Sequence, residues 1–470
     1  MAYKVVKFGG SNLKDVHGIK KVLKAIQNYN QPLIIVVSAF YGLTNRLIEA
    51  IDKSVKGKLN VDSFINEIRN QKFNIVLEII PDENLIFEIK QKLELRLNKL
   101  RDLLLGVSYI NDVPPFVYDE ILSYGERLSS LILAYVLKQN NIPSEEIFPD
   151  DAGLITDGEF KNATVEFEKS SVELKRNLSK DSTYVIPGFY GKSIEGKITL
   201  LGRGGSDYSA AAIAACLNAN SLDLWKDVKG FLSADPKIVK GTVNIESLTY
   251  AEAAELAYFG SHILHPRTPE PLANKKIPIR IFDINDSENG INPLTIINGK
   301  KTVSDTIIKS VSYSDNFGIL KLFGSGIGIK PGILAKSTVE LDKAGINIKS
   351  VITSQTAINI LLSQDDLKRS NEIIVRKDIH GISKVEIISN ISLIAAVGEG
   401  LTSHSGVAGR LFGAVARKGI NIGIISFGAS QVAVYFIVNK KDRNETVREI
   451  HREFFFCEKH REESLSEFCV

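Results

Sequence analysis

The chain has 470 residues, 44% of them apolar and 24% charged, which fits a globular protein of about three domains with ample core. A formal net charge of +3 is too small for a nucleic-acid partner, and no run of about 18 apolar residues offers a membrane span. Cys216, Cys457 and Cys469 lack metal-ligand spacing, and the N-terminus enters a strand pattern at once; both point to free thiols in a reducing, cytoplasmic setting.

In chain order, residues 3–8 form an apolar strand running into Gly9-Gly10-Ser11, a turn able to aim backbone N–H groups at an anion, with Lys7 at its mouth. The lysine spacing is not that of a Walker loop. Residues 32–39 read as a buried parallel strand ending near Ser38, and Thr44 opens the next helix; hydroxyls at strand ends line ligand sites in open α/β sheets. From about residue 50 to 115, Ile86, Ile89, Leu93, Leu97, Leu100 and Leu104 recur at helical spacing, predicting a helical insertion stopped by Pro114-Pro115. Gly125-Glu126-Arg127-Leu128-Ser129 belongs to a further helix.

Residues 200–211 organise the rest. A short strand ends in Gly202-Arg203-Gly204-Gly205-Ser206-Asp207, and an alanine-rich helix opens directly. The glycines and the helix dipole suit phosphate or carboxylate, Arg203 offers a planar fork, and Asp207 can hold an ammonium. Residues 223–237 form a strand and loop with Lys226, Asp227, Leu232 and Lys237. His262 and His265 lack further ligands at metal-like spacing. Alternating strands and helices predict a three-layer αβα domain with a mainly parallel sheet over 1–290. After a polar linker, Gly332 with Gly345-Ile346-Asn347-Ile348 recurs, at the same spacing, as Gly406 with Gly419-Ile420-Asn421-Ile422. This repeat predicts two ferredoxin-like βαββαβ modules, 305–385 and 386–470.

The series Lys7-Phe8-Gly9-Gly10-Ser11, Val37-Ser38-Ala39 with Thr44-Asn45, Gly125 to Ser129, Gly202 to Asp207 and the loop from Asp227 to Pro236 resembles the aspartate kinases, and the tandem modules resemble their paired ACT domains. The resemblance spans nearly the whole chain. It implies the amino-acid kinase fold, ATP with Mg²⁺ as donor, L-aspartate as acceptor and 4-phospho-L-aspartate as product, the first step toward lysine, threonine and methionine. The residue chemistry agrees: a carboxylate of pKa about 4 is already an ionised nucleophile at pH 7, so the site must position reactants and offset charge. Lys7 and Asp207 are the expected catalytic pair. Ser38, Thr44, Glu126, Arg203, Gly204 and Ser206 are expected to hold the acceptor, Arg203 at its α-carboxylate and Glu126 at its α-ammonium. The nucleotide side is expected to comprise Lys7, Gly9, Gly10, Ser11, Gly205, Lys226, Asp227, Leu232, Lys237 and His262. Several positions depart from the family pattern: Ser11-Asn12 stands for Thr-Ser, Lys226 for Thr, Leu232 for Tyr, Lys237 for Arg and His262 for Lys.

The modules imply feedback by an amino acid held near Lys330, Gly332, Ile333, Asn347, Lys349, Thr353, Ser354 and Gln355. Lys349 stands where lysine-sensitive relatives often carry Asp, and a cation repels a lysine ammonium, so threonine is favoured no less than lysine. ACT pairing implies a homodimer or a dimer of dimers. With no further Rossmann domain after the modules, a monofunctional kinase is expected. Glutamate and acetylglutamate kinases, and a catalytically inactive amino-acid sensor, are the competing readings.

Overall fold

Short runs of β-branched residues become buried strands. In the computed structural model, which describes residues 3–202, 204–261 and 263–456, the chain forms two units. The first comprises the described residues of Met1–Phe231, Asn244–Ala257 and His262–Thr302. Its strands are β1 (Val5–Phe8), β2 (Ile34–Val37), β3 (Ser144–Glu146), β4 (Ile155–Thr156), β5 (Thr183–Pro187), β6 (Tyr190–Ser193), β7 (Ile198–Leu200), β8 (Leu222–Lys226), β9 (Ser247–Thr249), β10 (Ile279–Asp283) and β11 (Thr295–Asn298). Eight form one sheet in the order β3-β5-β2-β1-β8-β10-β11-β9, parallel except where β10 meets β11, and β4-β6-β7 form a small second sheet. Every residue of β1 and β2 is buried, as expected of central parallel strands covered on both faces. Phe8, Trp225 and Phe282 lie in register across β1, β8 and β10 and stack with centroids 6.5 and 4.7 Å apart.

The helical insertion is three helices, Leu43–Val55, Val61–Ile79 and Glu83–Ile110. Asn60 and Asp82 cap the last two by accepting from backbone N–H groups. Ile89, Leu93, Leu97, Leu100 and Leu104 are fully buried in the core of the unit, while Ile86 is only half-buried against it. Arg96 forks Glu146, which also accepts from Ser130, so the insertion is tied to the edge strand β3. Pro115 opens the long helix Pro115–Gln139, where a missing N–H costs nothing.

The second unit comprises Leu232–Val243, Tyr258–Ser261 and the described residues from Val303 onward. Its strands are β12 (Ser310–Ser314), β13 (Phe317–Phe323), β14 (Ser350–Thr353), β15 (Ala357–Ser363), β16 (Lys384–Ile388), β17 (Ile391–Val397), β18 (Ile425–Ser426) and β19 (Ala433–Asn439). They form two antiparallel sheets, β14-β15-β13-β16 and β12-β17-β19-β18. The bounds expected from the repeat, 305–385 and 386–470, shift: β12 lies within 305–385 yet pairs with β17, and β16 reaches Ile388, so the first module spans β13 to β16 and is set within a second whose edge strand is Ser310–Ser314. The repeated glycines occupy equivalent positions: Gly332 and Gly406 cap helices Ile333–Lys343 and Val407–Ala416 at φ 90° and 83°. Among the described residues, no helix is long and apolar enough to cross a membrane.

Candidate active site

β1 ends by delivering Lys7 to the helix Gly205–Leu217, whose first turn carries Asp207. Gly204 caps that helix at φ 76°, a conformation that favours glycine. The Lys7 ammonium lies 2.5 Å from Asp207 Oδ1, and the Lys226 ammonium, from the end of β8, lies 2.8 Å from Oδ2 and 3.1 Å from Oδ1. Burial lowers Lys7 to about 8 against the pull of Asp207. Burial also pushes the Asp207 carboxyl up, but Lys226 and Lys7 more than reverse this and hold it well below the usual carboxylate range. Asp207 is therefore a fixed anion that positions two ammoniums, and no base.

Beside this cluster is a cavity of about 540 Å³. It brings together Gly10, Ser38, Thr44, Glu126, Gly204, Gly205 and Ser206, all singled out from sequence. Ser38 is held at its strand end by its N–H to Phe8 O (3.1 Å) and by its carbonyl, which accepts from Ser129 Oγ at 2.6 Å. Glu126 is 3% exposed; Oε1 accepts from Ser206 Oγ at 3.3 Å, and Oε2 has no hydrogen-bond partner among the described residues. Burial raises its carboxyl to about 8, partly opposed by hydrogen bonds from the Ala39 backbone and Ser206. A buried carboxylate oxygen left unpaired is costly unless a cationic or donor group meets it. Arg203 and His262 lie outside the described residues.

On the other side of β1, Ser11 Oγ donates to Asp227 Oδ1 at 3.0 Å and Asn12 Nδ2 to Trp225 O at 2.7 Å, joining the first glycine turn to the end of β8. A Cβ on Gly10 would come within 2.8 Å of Ala39 O, so only glycine lets this turn approach the end of β2. Leu232 and Lys237 fall in the second unit, where Leu232 O accepts from Ser310 Oγ at 2.8 Å. Among the described residues, no three His, Cys, Asp or Glu side chains group to hold a metal ion.

The cavity also has walls that sequence reasoning missed. Tyr118 and Leu122 precede Glu126 at helical spacing and line the same space, a signal the i, i+4, i+8 rule could have used. Lys161 (φ 70°) and Phe189 (φ 78°) come from irregular backbone that carries no pattern. Asp119, fully buried, accepts from the N–H groups of Lys161 and Leu200, both at 2.9 Å, and so braces the strand entering the Gly202 turn. In the first module Lys330, Gly332, Asn347, Thr353, Ser354 and Gln355 are exposed, Ile333 is buried, and half-buried Lys349 lies over the Tyr258 ring.

Residues 2–283 match the amino acid kinase family, and residues 394–454 match the ACT domain. The first match covers more than half of the chain, and the chain belongs to the amino acid kinase family. Over its whole length it resembles aspartokinase 1, a chloroplastic enzyme of Arabidopsis thaliana, at 31% identity across 96% of this chain and 80% of the relative. Lysine-sensitive aspartokinase 3 of Escherichia coli is 27% identical over 96% of this chain and 99% of its own length. The crystal structure of E. coli aspartokinase III with aspartate and ADP, in its R-state, superposes with a TM-score of 0.83 at 26% identity, covering 96% of this chain and all of that one. Within the family, then, this chain is an aspartokinase carrying an ACT region.

Proposed function

We propose that the chain transfers the γ-phosphoryl group of ATP to the side-chain carboxylate of L-aspartate, yielding ADP and 4-phospho-L-aspartate for lysine, threonine and methionine synthesis. The carrying observation is Glu126 Oε2, without a hydrogen-bond partner among the described residues, inside a cavity that opens beside the Lys7–Asp207 pair. Glu126 takes the α-ammonium and Arg203 the α-carboxylate, leaving the second carboxylate near Ser38, Thr44 and Ser206. One of its oxygens attacks the γ-phosphorus as the bond to the ADP oxygen breaks; no proton moves. Lys7, with the N–H groups of the Gly9-Gly10 and Gly204-Gly205 turns, offsets the charge of the phosphoryl group in transit. Ser11, Lys226, Asp227 and His262 serve the nucleotide side. Mg²⁺, which takes phosphate oxygens and water readily, fits as a companion of the nucleotide and supplies charge neutralisation there. The ACT region senses an end-product amino acid at Lys330 to Gln355. The Lys349 ammonium there disfavours a second cation, which keeps threonine alongside lysine as effector.

The test is ATP- and Mg²⁺-dependent acyl-phosphate formation trapped with hydroxylamine, offering L-aspartate, L-glutamate or N-acetyl-L-glutamate, each with and without lysine or threonine. Turnover with L-aspartate alone is expected, lost in Lys7→Ala through kcat rather than the aspartate KM. Turnover with another acceptor would reassign Glu126, and none at all would favour an inactive sensor.

A further inference from the structure

Lys226 stands out within the site. Lys7 and Lys226 leave the same face of the sheet, because Lys7 is opposite Leu224 and side chains alternate, which places Lys226 two residues further along β8. Both ammoniums reach the one carboxylate of Asp207. The three side chains are 5%, 14% and 8% exposed, so this is a largely buried cluster holding two cations against one anion. Asp207 is already matched by Lys7, and a second ammonium taken from water against the same carboxylate adds a desolvation cost that the fold does not require. One surplus positive charge beside a phosphate-binding turn has an evident use.

Resting on the kinase reading above, we propose that Lys226 is a second catalytic cation, whose ammonium binds the γ-phosphoryl oxygens during transfer while Asp207 fixes its spacing from Lys7. Its gain is electrostatic: charge on the phosphoryl oxygens, the attacking carboxylate and the departing ADP oxygen is met by two fixed ammoniums instead of one. The same positive charge is one of the causes that lower Lys7, so the two lysines are coupled through their common anion.

The experiment compares the full chain with its Lys226→Thr, Lys226→Met and Lys226→Arg variants, measuring kcat, both KM values, the pH profile and the thermal midpoint. Thr and Met are expected to lower kcat by about 10²-fold, the scale of losing one charge-stabilising donor, with the aspartate KM within about twofold. Arg should recover a tenth or more of the wild-type kcat. The alkaline limb, set by Lys7 near 8, should move upward in Thr and Met once a neighbouring cation is gone. Asp207 keeps Lys7 in every variant, so folding should persist; a collapsed thermal midpoint would make Lys226 a structural residue and overturn the proposal. So would a kcat within about twofold of wild type, or a loss confined to the ATP KM, which is ground-state binding. An active wild type with indifferent variants removes this proposal alone; a wild type that phosphorylates no acceptor removes the kinase reading with it.

Discussion

Glu126 and Lys7 are two buried groups pushed in opposite directions to about 8, one towards keeping its proton and the other towards losing it. Glu126 must be ionised to hold an ammonium, and Lys7 must be protonated to hold a phosphate. The proposed chemistry therefore gives kcat/KM for aspartate a bell centred near pH 8, its acid limb belonging to Glu126 and its alkaline limb to Lys7. At pH 7 the free Glu126 carries a proton that aspartate must expel. Titration calorimetry in buffers of differing ionisation enthalpy should register up to one proton released per aspartate bound. Glu126→Gln should abolish that release and raise the aspartate KM by roughly 30-fold, the equivalent of about 2 kcal/mol for a charge-assisted hydrogen bond. In the unliganded protein the sign for stability is also fixed. The folded state holds the Glu126 proton up to about 8 and the unfolded state releases it near the ordinary value of 4.5, so this group's contribution falls as pH rises between them.

Among the elements, the centre of the large sheet is locked by more than apolar burial. Asp223 on β8 is fully buried, forked by Arg280 from β10, and bonded by Tyr29 OH at 2.8 Å and Ser221 Oγ at 2.9 Å; Trp225 Nε1 donates to the same tyrosine at 3.1 Å. Arg280→Leu leaves a buried carboxylate without its cation and should cost about 3–5 kcal/mol in urea unfolding, whereas surface pairs such as Lys53–Glu49 are worth under about 1 kcal/mol. The strands and glycine turns of this unit were legible because fully apolar runs and Gly-Gly steps have few other uses. Glu126, Ser38 and Thr44 were legible by their place in those motifs. Lys161 and Phe189 were not, since residues in the left-handed region announce themselves only when they are glycine. Nor was the pairing of Ser310–Ser314: its five residues suit the edge of either module, and only the connectivity of the folded chain decides which.

Across the whole chain, the second unit recruits sequence from the stretch that matches the kinase family. Ala234, Ile238 and Val239 belong to its hydrophobic core, with Ala234 bridging Val311. Ser233 Oγ meets His451 at 2.8 Å, and Asp235 accepts from Tyr313 OH at 3.2 Å. The imidazole of His451, fully buried, is lowered to about 4 by desolvation and so stays neutral across physiological pH. A chain cut in the linker after the kinase stretch would strip the cover from these apolar residues. A different cut respects the packing. Ser314 on β12 faces Leu393 on β17, while Ile319 and Ile388 face each other at the two ends of the first module. Replacing residues 317–390 with an Asn-Gly turn should close β12 and β17 into a hairpin in their native register, preserve the cooperative melt of the second module and keep aspartate phosphorylation, while the response to lysine or threonine disappears.

That geometry also has a bearing on descent. A module whose entry and exit meet at one point can be gained or lost by a single graft into a hairpin loop, without disturbing the host sheet around it. Two copies that look like neighbours in the sequence are thus host and guest, and a nonsense mutation after the guest leaves β12 as a bare edge without β17, inviting other chains to pair with it.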